Sequence, residues 1–215
     1  FSSDALSKTF FHAHGTSTPQ NRESESHIIS SISKAFGIES LPVTAIKSYL
    51  GHSLAAAGGD QMISTLGSWK NSIIPGITST PALAENVHRE NVEFLLQNKK
   101  FDGEDYDFAV LNAKGFGGNN GTALVASPSK TMKMLETKYS KKDIQAYLVE
   151  KRKIDIQLDK HKTEVLQGDI KSRYMFGEDV IDGMNDFEIE TDKITNKLNK
   201  EIFNLNSTLP YKDYL

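Results

Sequence analysis

Two histidines and a lysine sit where side chains can do chemistry. His14 lies in AHGTSTPQN (13–21), and Lys47 and His52 bracket KSYLGHS (47–53). A third polar stretch, KGFGGNNG (114–121), is dense in glycine. Imidazoles move protons or polarise a carbonyl near neutral pH. Glycine-rich backbone approaches a ligand closely and presents N–H donors to a developing oxyanion. Three such loops, His14–Pro19, Lys47–His52 and Lys114–Gly121, meet much of what an active site needs. A nucleophile is missing, because the 215 residues include no cysteine.

Other readings of these residues are weaker. His27, His88 and His161 read as ordinary structural or surface histidines. His12 and His14 form a His-x-His pair, but no third ligand follows at metal spacing, so no metal site is expected. GFGGNNG departs from the dinucleotide pattern: Asn120 takes the third glycine place and a strand follows instead of a helix. It has no Gly-Lys-Ser/Thr of a P-loop either. A backbone oxyanion hole suits it better.

The elements that must position these loops form an α/β body. TFFHAH (9–14), LPVTAI (41–46), VEFL (92–95), YDFAVLNA (106–113) and GTALVAS (121–127) read as strands. NRESESHIISSISKAFG (21–37) has Ile28, Ile29, Ile32 and Phe36 at helical spacing, with Gly37 at its end. LAAAGGDQMISTLGSWK (54–70) reads as a buried helix, and KSYLGHS as a connecting loop. In an open α/β sheet, loops at strand ends are where ligands bind. Twelve of the 15 glycines fall in residues 1–128, which we expect to be one domain. Residues 129–215 are expected to be a charged, mainly helical extension with helices over 130–139, 141–167 and 196–205.

Composition narrows the function. A formal net charge of -3 gives no general attraction to nucleic acid or an anionic membrane. No run approaches the ~20 apolar residues of a membrane span. Phe1 and the residues after it lack a signal-peptide pattern, so residue 1 reads as a cut in a longer polypeptide.

HGTSTP, KSYLGHSLAAAGG and GFGGNNGTAL, in this order and spacing, resemble the C-terminal half of the β-ketoacyl-acyl carrier protein synthases. These are condensing enzymes with the thiolase fold, and the likeness covers roughly residues 10–127. The resemblance implies a layered α/β fold and a decarboxylative Claisen condensation in fatty-acid biosynthesis. It assigns His14 and His52 to stabilising the malonyl enolate, Lys47 to the family's active-site lysine, and Glu25 to that lysine's buried partner. Phe116 matches the gating phenylalanine at the oxyanion hole, with Gly117 and Gly118 beside the substrate. Thr16 and Thr18 match the threonines that hold the pantetheine arm. The nucleophilic cysteine belongs to the family's N-terminal half, so this chain alone is expected to be inactive.

The chain also departs from the family pattern. Arg22 stands where an aspartate is usual, Ala55 where a glycine is, and Lys114 where a phenylalanine often precedes GFGG. Gln61 replaces a common glutamate, which argues against carrying over a bound cation. PQNRESES and the charged tail look like the divergent bacterial synthases that initiate fatty-acid synthesis from acetyl-CoA. The resemblance further implies acyl carrier protein, malonyl-carrier protein and acyl-CoA or acyl-carrier protein as partners. It implies a homodimer in the cytoplasm, with no cofactor beyond the phosphopantetheine borne by the substrates. Two other classes compete. One is a non-catalytic homologue that pairs with an active synthase; the other is a carrier-protein-binding module built on residues 129–215.

Overall fold

In the computed structural model, which describes residues 6–169 and 185–205, the body is organised around β1 (Thr9–His12), buried at all four positions. Along the chain follow α1 (Pro19–Ala35), β2 (Leu41–Thr44), α2 (Lys47–Leu50), a 3-10 turn (Leu54–Ala56), α3 (Ala57–Asn71), β3 (Ile73–Ile74), β4 (Val92–Phe94) and β5 (Lys99–Lys100). Then come β6 (Phe108–Lys114), β7 (Asn120–Ala126), α4 (Pro128–Lys138), α5 (Lys141–Gln167), β8 (Phe187–Ile189), β9 (Lys193–Asn196) and β10 (Ile202–Asn204). Two compact units result, Phe1–Tyr147 and Leu148–Leu215.

The first unit carries a five-stranded sheet in the order β4-β2-β1-β6-β7. β1 runs parallel to β2 and β6, β2 parallel to β4, and only β7 is antiparallel. Successive residues of β1 face opposite sides of this sheet. Phe10 packs with Trp69 of α3, Ile74 and Tyr106, while Phe11 packs with Ile29 of α1, Leu41 and Val43. The Phe10 ring meets Trp69 and Tyr106 edge-on at 5.9 and 5.7 Å. Burying one such side chain contributes about 2–3 kcal/mol.

The parallel arrangement places the ends of β1, β2 and β6 at one edge of the sheet. The His14, Lys47 and Lys114 segments leave there together, which is the geometric basis of the site. Pro19 at the first turn of α1 has its φ pre-set for a helix. The small buried residues Ser26, Ser30 and Ser33 let that helix lie close to the sheet.

Three expectations are corrected. Residues 47–50 are a short helix, not loop; Gly51 ends it at φ 73°, its N–H donating to the Lys47 carbonyl. Residues 196–205 are not a helix but the end of β9, a tight turn and β10. There Asn196 and Asn199 accept backbone N–H bonds from Leu198 and Glu201, and Lys200 takes φ 63°. Those asparagine-to-backbone bonds favour a turn over helix continuation. The 54–70 helix is buried on one face only. Gln61, Thr65 and Ser68 are inside, whereas Ile63 is 72% and Leu66 45% exposed.

The second unit holds most of α5 and a three-stranded antiparallel sheet, β10-β9-β8. Among the described residues no helix is long and apolar enough to cross a membrane.

Candidate active site

His14 follows β1 by two residues, at the point where the chain must turn sharply. Gly15 makes that turn at φ 60°, and a Cβ there would sit 2.5 Å from the Ala45 Cβ. Only glycine satisfies both constraints. His14 is buried, with its peptide held on both sides. Its N–H donates to Glu25 Oε1 at 2.8 Å, and its carbonyl accepts from Lys47 Nζ at 2.6 Å.

Glu25 is 4% exposed and takes four hydrogen bonds. Oε1 accepts from His14 N–H and from Asn112 Nδ2 at 2.7 Å; Oε2 accepts from Gly15 N–H at 3.0 Å and Asn21 Nδ2 at 3.1 Å. Glu25 and Lys47 are coupled through charge and through the peptide they share. They act through the His14 peptide and form no direct ion pair, because N–H donors already occupy both carboxylate oxygens. Burial pushes the Lys47 amine down, and the charges of Glu25 and Asp60 partly offset this.

The imidazoles share one arrangement. Lys114 donates its backbone N–H to His14 Nδ1 at 3.1 Å, and Leu54 donates its own to His52 Nδ1 at 3.1 Å. A neutral imidazole carries one N–H, so an Nδ1 that accepts leaves the proton on Nε2. Both histidines thus present Nε2–H donors. Their ring centroids lie 5.2 Å apart, with planes at 81°. Burial lowers the His14 pKa, the neighbouring Lys47 charge lowers it further, and Glu25 opposes both. His14 is consequently neutral at neutral pH.

A cleft of about 770 Å³ contains His14, Lys47, His52, Thr16, Thr18, Phe116 and Gly117. Thr16 and Thr18 bring their hydroxyls within 3.4 Å of each other. Thr18 caps α1 through backbone alone, which leaves its hydroxyl free of a capping role. Phe116 is 91% exposed, in a loop where Gly117 and Gly118 take φ 82° and 83°. Gly118 is absent from the lining of that cleft. His27 and His88 instead meet each other on the surface at 4.9 Å.

Sequence reasoning missed Asn112 and the two backbone donors. Asn112 joins Glu25 to Thr122 of β7, whose hydroxyl donates to it at 3.1 Å. A polar residue near the end of an otherwise apolar strand was the available signal. Chemically, two neutral N–H donors converge on a cleft with a lysine behind them. This is an arrangement for holding negative charge as it develops on a carbonyl oxygen.

Residues 7–80 match the family model for the β-ketoacyl synthase C-terminal domain. The chain is 38% identical over 187 residues to the beta-ketoacyl-[acyl-carrier-protein] synthase FabY of Pseudomonas aeruginosa, covering 87% of this chain and 29% of that protein. It is 33% identical to 3-oxoacyl-[acyl-carrier-protein] synthase 2 of Vibrio harveyi, over 53% of this chain and 26% of that one. A crystal structure of the ketosynthase FabY from P. aeruginosa superposes with a TM-score of 0.77 and 35% identity, over 99% of this chain and 33% of that one. The chain thus spans a third or less of the length of these relatives.

Proposed function

The chain belongs to the β-ketoacyl synthase family through its C-terminal domain, and we propose that it supplies the decarboxylating half of a β-ketoacyl-acyl carrier protein synthase in fatty-acid biosynthesis. The observation that carries this reading is the shared tautomer of His14 and His52, both with Nδ1 occupied and Nε2–H available. Malonyl-carrier protein enters with its thioester oxygen between the two imidazoles. Its C3 carboxylate leaves as CO₂, and the electron pair of the broken C2–C3 bond passes into a C1–C2 enolate whose oxygen is held by the two N–H donors. The enolate carbon then attacks an acyl thioester on a cysteine, displacing the thiolate and leaving β-ketoacyl-carrier protein.

That cysteine comes from a nucleophile-bearing half outside these 215 residues, so the chain alone does not condense. The surface of α3 and the turn before it supports this: Leu54 of the turn and Ile63 and Leu66 of α3 are exposed while polar Gln61 and Thr65 are buried. Such a helix has an apolar side left to cover, and the nucleophile-bearing half is its occupant. Thr16 and Thr18 hold the pantetheine arm borne by the substrate, and Phe116 gates the cleft that Gly117 lines beside it, with Gly118 following in the same loop. Names of the relatives support acyl carrier protein as partner. The initiating type of synthase, with an acyl-CoA or acyl-carrier protein primer, a homodimer and a cytoplasmic setting, completes the reading.

The test uses the full-length protein. His52→Ala should abolish release of labelled CO₂ from malonyl-carrier protein while acyl transfer to the cysteine, read by intact mass, persists. Undiminished CO₂ release would remove His52 from the chemistry.

A further inference from the structure

The inward face of α3 carries an amide where packing alone asks for an apolar residue. Gln61 is 1% exposed. Its Nε2 lies 2.8 Å from the Ala13 carbonyl oxygen, 2.9 Å from that of Asn112 and 3.5 Å from that of His12. Three backbone carbonyls from two neighbouring parallel strands converge on this one nitrogen. The convergence fixes the orientation of the amide, since turning the oxygen inward would set four oxygens against each other. Oε1 itself is buried without a partner.

A point ringed by carbonyl oxygens is also what a dehydrated monovalent cation requires. The glutamate usual at this place in the family would supply the balancing negative charge. In this chain the side chain is neutral, and its NH₂ already stands at the centre of the ring. A cation would collide with two N–H hydrogens, so these residues do not fit one.

We propose that the Gln61 amide stands in for a cation, cross-linking the ends of β1 and β6 and thereby positioning His14 without any monovalent ion. Ala13 is bonded directly to His14. Asn112, the other main acceptor, also donates to Glu25, which in turn accepts the His14 N–H. Gln61 therefore grips the histidine from both strands and touches no substrate; it is a positioning residue. That His14 is the residue worth positioning rests on the function proposed above, whereas the independence from cations does not.

The experiment compares the full-length protein in potassium chloride and in choline chloride at equal ionic strength. Melting temperature is the first readout because it needs no substrate, and it stands whether or not the proposed reaction is correct. The native protein should melt at the same temperature in both salts; a saturable rise with potassium would overturn the proposal. Gln61→Glu places a carboxylate against three carbonyls and creates the need for a cation. It should melt roughly 5 °C higher in potassium than in choline, and indifference to potassium would equally overturn the proposal. Gln61→Met, which removes the donor without adding charge, covers the case in which the glutamate variant fails to fold. It should lower kcat for CO₂ release roughly tenfold to a hundredfold, with KM unchanged and no rescue by potassium. An unaltered kcat would refute the positioning role.

Discussion

Lys47 donates to the carbonyl of His14 at 2.6 Å, and its Nζ also lies 3.5 Å from the His14 Nδ1. One cation thus anchors the histidine peptide and discourages protonation of its ring. Lys47→Met should therefore raise the His14 pKa toward its ordinary value of about 6.5. The sign follows from the causes: burial lowers this pKa most and Lys47 next, so removing Lys47 takes away a lowering charge and leaves Glu25 opposing burial and the weaker effects of His52 and Lys114. Protonation at Nδ1 would set two N–H groups against each other at Lys114. The acid limb of the pH profile for CO₂ release should accordingly move to higher pH. A limb that stays in place would show that Lys47 acts only through the peptide.

Glu25 shows what a buried carboxylate needs. Its four N–H donors come from His14 just past β1, the Gly15 turn, α1 and β6. Glu25→Gln keeps the shape but turns an NH₂ toward donors that then have no acceptor. Losing hydrogen bonds to a charged group and leaving donors unpaired should cost about 2–4 kcal/mol of stability. Urea unfolding measures this directly. CO₂ release should fall with it, since whichever way the amide turns, the peptide N–H of either His14 or Gly15 loses its acceptor.

Gly15 is held by conformation and by space at once. Gly15→Ala adds about 1–2 kcal/mol for a left-handed backbone and about 1–3 kcal/mol for overpacking against Ala45. Gly103→Ala is the contrast, because its Cβ meets nothing within 4 Å. It should shift stability by no more than about 0.5 kcal/mol. Equal effects in chemical denaturation would refute the geometric argument at Gly15.

Much of this architecture is legible in sequence, for identifiable reasons. β1, β2 and β6 show as apolar runs because the inner strands of the sheet are buried, and β7 shows by its β-branched and small residues although it is an exposed edge strand. His14, Lys47 and Lys114 converge because each follows a strand, and those strands are parallel. Backbone donors are invisible to any reading of side chains, so the Lys114 and Leu54 N–H groups that set both tautomers could not be anticipated. The resemblance marks Glu25 as the partner of Lys47, but that the link runs through the His14 peptide, with four N–H donors on the carboxylate, depends on backbone groups a sequence does not display. The β9–β10 hairpin was hidden by NKLNKEIFNL, whose apolar spacing suits a helix equally well. Its asparagines, which bond to their own backbone, decide for the turn.

Thr16 and Thr18 separate binding from chemistry. Their hydroxyls lie 3.4 Å apart on the lining of the cleft, and the Thr18 hydroxyl takes no part in capping α1. Neither side chain supports His14 or His52. Replacing each with valine keeps the branched shape and removes one hydrogen-bonding group from the path proposed for the pantetheine arm. Each substitution should raise KM for malonyl-carrier protein roughly tenfold, the effect of about 1.4 kcal/mol, with kcat and melting temperature nearly unchanged. A uniform loss of binding behaves this way, since it weakens ground state and transition state alike. A fall in kcat at constant KM would instead place these threonines in the transition state, beside the two imidazoles.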